Sequence, residues 1–502
     1  MSRTKKAFIN VRSSIINQIV LIISGLILPR LLIKTYGSEI NGLVSTIKQM
    51  VNYGSILVIG LGAASSVALY EPIYNNEISK INGILSATKR TYKSSGYIFA
   101  FFILIMAIVF PNLTNSDLDP RLITKIIIIA GMGSIIEHIY ISTYRIYLIA
   151  DQQANIQSKQ QTYGFILYTC LAILAIKLKL SIIWVMIALL SSYILRLFLM
   201  KRYFNEHYTF INLNVPPNYK AISKRWDAFI YQVPDILITY TPVIIIAIML
   251  GLTEASIYSV YNIVFSSLIS LIGVMSFGLQ GGFGSIIASG NLEVLNKSYK
   301  SFEFLYTVIT FFAYGCSLVL IKPFISVYVQ DADNVNYLLP LLGSMFVISG
   351  IARALRTPAK TLSESAGMFN DNKFPNLIEA IVNFILSVLL VSKLGITGVL
   401  ISSAITATVR TAIFVFYVYD NLLTIKVRKY LIQILLNIVA VYLLSFVFTR
   451  LTSDSFYDWI IYALKVSLTF GISLVILNSI IDRDTARNLL TRMKLILKRN
   501  DN

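Results

Sequence analysis

Runs of about 18 or more apolar residues, each closed by a short polar break, recur along the whole chain. They are too long and too uniformly apolar for barrel strands, which alternate over about ten residues. The pattern predicts an all-α polytopic membrane protein with about 14 transmembrane helices. The spans fall near residues 13–35, 42–66, 93–112, 121–144, 162–178, 181–200, 228–250, 256–284, 302–322, 336–355, 374–392, 395–418, 430–449 and 458–480.

The spans are related to one another. Leu28 to Val67 reads LPRLLIKTYGSEINGLVSTIKQMVNYGSILVIGLGAASSV: an apolar helix ending at Tyr36-Gly37, a turn, and a second helix running to Gly60-Leu61-Gly62. The same order of features returns from Gly251, which stands where Gly37 stands, and Phe277-Gly278-Leu279 falls close to the later glycine pair. Downstream, RTYKSS at 90–95 matches KSYKSF at 297–302, and each opens an apolar run ending in Phe110-Pro111 or Lys322-Pro323. Two related halves built of spanning helices are the plan of a transporter with its substrate between the halves. The expected division is a six-helix bundle over 1–210, a second over 211–425, two additional helices over 426–481, and a basic amphipathic tail over 482–502.

Charge fixes the expected orientation. Only 13% of residues are charged, against about 25% in a soluble domain. Most of the 43 Lys and Arg residues fall in alternate breaks beginning with the N-terminal segment. The other breaks are short and carry Glu39, Asp117, Asp119, Glu254, Asp331, Asp333, Asp454 and Asp458. The positive-inside rule then places both termini in the cytoplasm. The net charge of +19 follows from this bias and from attraction to anionic headgroups, so no nucleic-acid partner is needed. The first apolar run is too long for a signal peptide and lacks a small-x-small cleavage site. Ala486–Arg499 is expected to lie on the inner leaflet as a basic amphipathic helix. Cys170 and Cys316 sit inside apolar runs, which leaves no disulfide framework and no metal set.

Three stretches carry a family resemblance: YGSEINGLVSTIKQMVNYGSILVIGLGAASSVALYEP, YRIYLIADQQANIQS, and RTPAKTLSESAGMFNDNKFPNLIEAIVNFILSVLLVSKLGITGVLISS. They resemble the polysaccharide transporter (Wzx-type) flippases of the multidrug/oligosaccharidyl-lipid/polysaccharide exporter superfamily, over roughly residues 10–420. The resemblance implies two six-helix bundles facing a central cavity, with two extra helices at the end. It also implies turnover of an undecaprenyl-diphosphate-linked oligosaccharide from the inner to the outer leaflet of a bacterial cytoplasmic membrane. The polymerase and glycosyltransferases of the same surface-polysaccharide pathway are the partners it suggests. In the lipid II flippase branch cations occur on spans one, two and eight; here span eight carries none.

A diphosphate cargo calls for fixed cations, and Arg offers bidentate geometry to phosphate oxygens. Arg30, directly after Pro29, and Lys48 in span two are the candidates, both on the outer half; Lys34 can snorkel. Glu137-His138 in span four, Asp235 after Pro234 in span seven, and Glu379 in span eleven are candidates for a coupling ion, H+ or Na+, or for the cavity wall. Each has an alternative reading as a local ion pair: Glu137 with Arg145 or a Tyr, and Asp235 or Glu379 with Arg353 or Arg410. Pro29, Pro234, Pro242 and Gly278 are candidate hinges. Asn17, Gln18, Tyr53, Tyr240, Tyr261, Asn262 and Asn383 suit sugar hydroxyls. The acidic pairs Asp117/Asp119 and Asp331/Asp333 read as solvated loop acids.

No cofactor is expected. No Walker lysine loop, HExxH, nucleophile elbow or Cys/His cluster occurs, so no catalytic residue is assigned. Two alternatives remain. A drug or organic-cation antiporter on the same superfamily plan favours an acidic, aromatic cavity. A membrane glycosyltransferase or polymerase usually carries a sizeable outer loop with catalytic acids, and the outer breaks here are short.

Overall fold

The computed structural model describes residues 3–489 and 491, apart from 115, 224, 274, 275, 277, 278, 331, 333, 334, 340 and 449–452. Gly278, Asp331 and Asp333 therefore lie outside the described residues, as does most of Ala486–Arg499. The elements in chain order are helices α1 (Arg3–Tyr36), α2 (Ser38–Asn52), α3 (Ile59–Tyr74), α4 (Ile78–Leu113), α5 (Pro120–Ile136), α6 (Ser142–Ala150), α7 (Ala154–Lys177), α8 (Ile182–His207), α9 (Arg225–Met249), α10 (Leu252–Gly273), α11 (Leu279–Ala288), α12 (Leu292–Tyr328), α13 (Leu342–Ser365), α14 (Phe369–Leu394), α15 (Ile396–Asn421), α16 (Arg428–Val447) and α17 (Phe456–Ile481). They form two compact units, residues 1–263 with 331–335, and residues 264–330 with 336–502.

This is an all-α multi-pass membrane protein. Among the described residues, 11 helices are long and apolar enough to cross a membrane, or up to 12 when the bent pair α2–α3 counts as one span. The expectation of fourteen is corrected accordingly. α7 and α13 have the length, at 24 residues each, but not the apolarity. α7 opens with Gln157, Lys159, Gln160 and Gln161, and α13 carries Arg353, Arg356 and Lys360 through its second half. Helices of that composition depend on neighbours to cover their polar side chains.

In the first unit, a ladder of side-chain hydrogen bonds provides that cover for α7. Ser14 meets Ser158 at 3.3 Å, Asn17 Nδ2 donates to Gln161 at 3.1 Å, Thr162 donates to Asn17 at 3.3 Å, and Ser24 meets Thr169 at 2.6 Å. The separation in sequence stays at 144 or 145 along the ladder, so α1 and α7 run parallel in fixed register. Small polar residues at helical spacing bring the backbones close and satisfy their own groups, the usual adhesive between helices in lipid.

The second parallel pair of this unit joins α2 to the first turns of α10. Asn41 Nδ2 donates to Ser256 Oγ at 2.7 Å and Ser45 Oγ to Ser259 Oγ at 3.1 Å, with separations of 215 and 214. Gly37 and Gly251, which start the two helices, both hold positive φ, at 86° and 125°. With Gly37 matched to Gly251, Ser45 meets its repeat equivalent and Asn41 the residue next to its own. At Gly42 the approach is so close that a Cβ would run into the Leu252 carbonyl and the Ser256 amide.

Span two is broken. A 3-10 turn at Tyr53–Leu57 separates α2 from α3, and the two segments are bent by 46°. The Tyr53 hydroxyl bonds Thr241 of α9, and its ring meets Tyr240 edge-on at 6.2 Å. Below the spans, Tyr208 donates to Asp151 at 2.7 Å; burial and that carboxylate push the hydroxyl's pKa well up.

The second unit is built on α12, whose 37 residues echo the 36 of α4, each with a proline near its end. At 1.5 Å per residue both measure about 55 Å, well beyond a hydrocarbon core of about 30 Å. α14 and α15 form an antiparallel hairpin. Asn383 donates to Thr406 at 3.0 Å, and Ser387 meets Ser402 at 3.1 Å. α16 and α17 are clamped by a closed amide set. Gln433 and Asn437 donate to Asn478 at 2.8 and 2.9 Å, and Asn478 returns a bond to Asn437 at 2.8 Å. Two of the loop acids take part in caps. Asp119 accepts from Arg121 N ahead of Pro120, and Ser455 with Asp458 forms a reciprocal cap on α17.

The α2–α10 contact has a direct test. Gly42→Ala is expected to lower the thermal unfolding midpoint in detergent. Gly25→Ala, which meets nothing within 4 Å, is expected to hold or raise it, since alanine exceeds glycine in a helix by about 1 kcal/mol. Equal shifts for the two variants would contradict the close approach.

Candidate functional site

The largest buried charge cluster of the first unit sits where α5 passes into α6. Residues Glu137–Ile141 form a π-helical turn, a feature that re-aims side chains within a helix. Glu137 is held by two arginines, Arg145 Nη1 at 3.1 Å and Arg196 Nη2 at 2.8 Å. Arg196 comes from α8 and lies 5.4 Å from the Tyr193 ring, while Tyr92 of α4 reaches Arg145. Two guanidinium groups around one carboxylate leave an excess positive charge. Glu137 is thereby committed as an ion-pair partner.

His138 is separate from that cluster in chemistry, though adjacent in sequence. It is buried, its Nδ1 lies 2.7 Å from the Ser134 carbonyl, and its ring stacks on Phe99 at 5.4 Å. Its other face meets the backbone of Gly54, at the break in span two, where the Phe99 ring also packs. The imidazole therefore bridges the π-turn of one span and the bend of another.

Arg30 and Lys48 lie on packed neighbours, α1 and α2. Arg30 is half-buried one residue after Pro29, inside α1. Lys48 is the single exposed residue among the fifteen of α2, a helix otherwise buried or half-buried throughout. An exposed ammonium on an inward-packed helix is placed to meet a charged ligand or water, because lipid cannot solvate it. Asp235 is exposed on α9, next to the buried Pro234 and two turns before Pro242.

In the second unit Glu379 is buried and accepts from Arg356 Nη1 at 2.7 Å. Its partner is thus Arg356, rather than Arg353 or Arg410. Arg410 instead binds the Asn376 amide oxygen at 2.8 and 3.1 Å and that of Asn372 at 3.0 Å, and it lies 4.0 Å from the Phe414 ring. Of the residues suited to sugars, Asn17, Tyr53 and Asn383 are engaged in helix–helix hydrogen bonds. Arg196 and Arg356 were not singled out by sequence reasoning; arginines placed inside or beside apolar runs are the signal that would have found them.

No family model matches the chain, and no curated protein sequence matches it. Solved structures do. The lipid II flippase MurJ, in an inward closed conformation, aligns at 14% identity over 95% of this chain and 99% of its own, with a TM-score of 0.70. An inward-facing multidrug resistance MATE family transporter of the MOP superfamily aligns at 13% identity over 82% and 97%, with a TM-score of 0.64. A MOP superfamily transporter from Pyrococcus furiosus, described by a reversed polarity of its binding pocket, aligns at 14% identity over 82% and 94%, with a TM-score of 0.59. The chain has the fold these transporters share.

Glu137→Ala is expected to be among the most destabilising single changes, since it leaves the buried Arg196 and the half-buried Arg145 guanidinium groups without a counter-ion. The loss should be on the order of 3–5 kcal/mol, read as a lowered unfolding midpoint in detergent. An unchanged midpoint would remove the cluster from the fold's essential contacts.

Proposed function

We propose that the chain is an alternating-access transporter that turns a diphosphate-linked oligosaccharide lipid from the inner to the outer leaflet of a bacterial cytoplasmic membrane, supplying surface-polysaccharide synthesis. The observation that carries this reading is Lys48, an exposed cation on a helix that is otherwise packed, one helix away from Arg30. Cargo phosphates entering from the cytoplasmic side meet these charges on their way outward. The buried acids Glu137 and Glu379 are held by arginines, so they offer little to a cationic cargo.

Two further points support the anionic reading. The alignment with the lipid II flippase extends over 95% of the chain, against 82% for the multidrug transporter. The net charge of +19 also favours recruitment of anionic lipids. In this reading two six-helix bundles, residues 1–210 and 211–425, rock about bends at Pro29, Pro234 and Pro242, and the α2–α10 contact is the side that must part. His138, at the bend of span two, and Asp235 are the remaining candidates for a coupling ion.

A second reading, export of organic cations, is favoured by the prevalence of MATE transporters among the structural matches. Proteoliposomes separate the two. Undecaprenyl-diphosphate-oligosaccharide is expected to move between leaflets with the native protein and at least tenfold more slowly with Arg30→Ala/Lys48→Ala. Full transport by the double variant would discard the cationic site and keep the flippase. Uptake of small organic cations without lipid turnover would establish the antiporter instead.

A further inference from the structure

Among the described acids buried within spans, Glu303 differs from Glu137 and Glu379 in having no arginine. It lies on α12, 4% exposed, three residues after Lys300. One oxygen, Oε2, accepts from the Tyr419 hydroxyl of α15 at 2.6 Å; the other, Oε1, closes no well-formed hydrogen bond, although the Tyr299 hydroxyl reaches the carboxylate. No cation stands within ion-pairing distance of it among the described residues. Burying an uncompensated carboxylate costs several kcal/mol, and this position keeps one.

Glu303 is also one of the residues that line a pocket, although its free oxygen is itself buried. That pocket is lined by Lys300, Lys426, Lys429, Tyr430, Gln433 and Asp482, among others, where α12 and the α15–α16 connection reach the end of α17. Glu303 is twelve residues from the start of a helix much longer than the membrane, so it lies close to the inner interface by the lysine bias. The charged and titratable groups facing it are Tyr299 and Lys300 on its own helix, Tyr419 of α15, Tyr430 and Lys429 of α16, Lys426 before it and Asp482 after α17; α13 contributes none to the lining.

A stripe of buried hydroxyls accompanies the acid along α12. Tyr299, Thr307 and Thr310 are fully buried; the Tyr299 hydroxyl reaches Glu303 and the Thr307 hydroxyl reaches Tyr430, neither closing a well-formed hydrogen bond. Tyr299 and Thr307 stand one turn either side of Glu303, with the Tyr299 hydroxyl as its neighbour. The internal repeat sharpens the contrast. Tyr299 stands where Tyr92 stands in the first half, and there the tyrosine faces Arg145 and its carboxylate.

We propose that Glu303 is a proton-binding site of the second unit, loaded from the side on which the three lysines open. The protonated acid keeps the Tyr419 bond and removes the buried charge. The ionised form draws on groups already in place, the hydroxyls of Tyr419 and Tyr299 and the Lys300 ammonium nearby. One proton added at Oε1 and one released complete the exchange, with no other reactant. The lysine rim disfavours a metal cation, and a proton needs only the single carboxylate. The site stands independently of the cargo, and its protonation couples cytoplasmic pH to the packing of α12 against α15 and α16.

The test uses the full chain in lipid nanodiscs, with infrared difference spectra recorded between about pH 5 and 9. A carboxylic-acid carbonyl band that titrates in the native protein is expected to vanish in Glu303→Gln and to persist in Asp117→Asn. It should shift in Tyr419→Phe, which removes the one hydrogen bond. Glu303→Gln mimics the protonated acid, so its unfolding midpoint is expected to match the native one at low pH and to lose its pH dependence. A band unchanged in Glu303→Gln would overturn the proposal. So would a midpoint that responds to sodium at constant pH in the native protein but not in Glu303→Gln, since the site would then take a metal cation.

Discussion

The structure of the first unit depends on one constraint: α2 and the start of α10 can touch only because both present small residues on the facing side. Asn41, Gly42 and Ser45 meet Leu252, Ser256 and Ser259 with no large side chain between them. In lipid there is little hydrophobic gain in pressing two apolar helices together, so adhesion comes from close backbone approach and a few hydrogen bonds. Such a contact is specific in register yet modest in strength. That combination suits a surface that must separate and re-form, and it contrasts with the closed amide clamp of α16 and α17, where three side chains satisfy one another completely.

Charge inside the spans is handled by the same economy of partners. Glu137 takes two arginines, Glu379 takes one, and Arg410 is wrapped by two asparagine amides and an aromatic face. Each arrangement exchanges hydration for geometry fixed by the helices. Lys48 and Glu303 stand outside this scheme, one exposed on a packed helix and the other buried without a cation. Groups that the fold leaves uncompensated are where a ligand or a proton has most to contribute.

Much of this organisation was legible in the residues. The apolar runs set most of the helices, and the matched glycines at 37 and 251 marked the repeat because only a glycine tolerates that turn readily. The span count exceeded the structure's because α7 gathers polar residues in its first turns and α13 carries cations through its second half, covered by neighbours that no single run reveals. Asn17 read as a sugar ligand but serves the ladder to α7; the recurring offset between Ser14, Asn17, Ser24 and their partners was present in the sequence as a pattern across two helices. The partners of Arg196 and Arg356 escaped because they lie on distant helices: an arginine in or beside an apolar run is readable, the carboxylate it meets is not. Glu303 escaped for a different reason: with Lys300 one turn away it looked like the polar end of a span rather than its interior.

Under the proposed function, the α2–α10 contact is the surface that opens during transport. With Cys170 and Cys316 replaced by alanine, Ser45→Cys/Ser259→Cys places two thiols where the hydroxyls stand 3.1 Å apart, within reach of a disulfide. Lipid-linked oligosaccharide turnover in proteoliposomes is expected to stop on oxidation and to return on reduction. Undiminished turnover by the fully cross-linked protein would contradict the account.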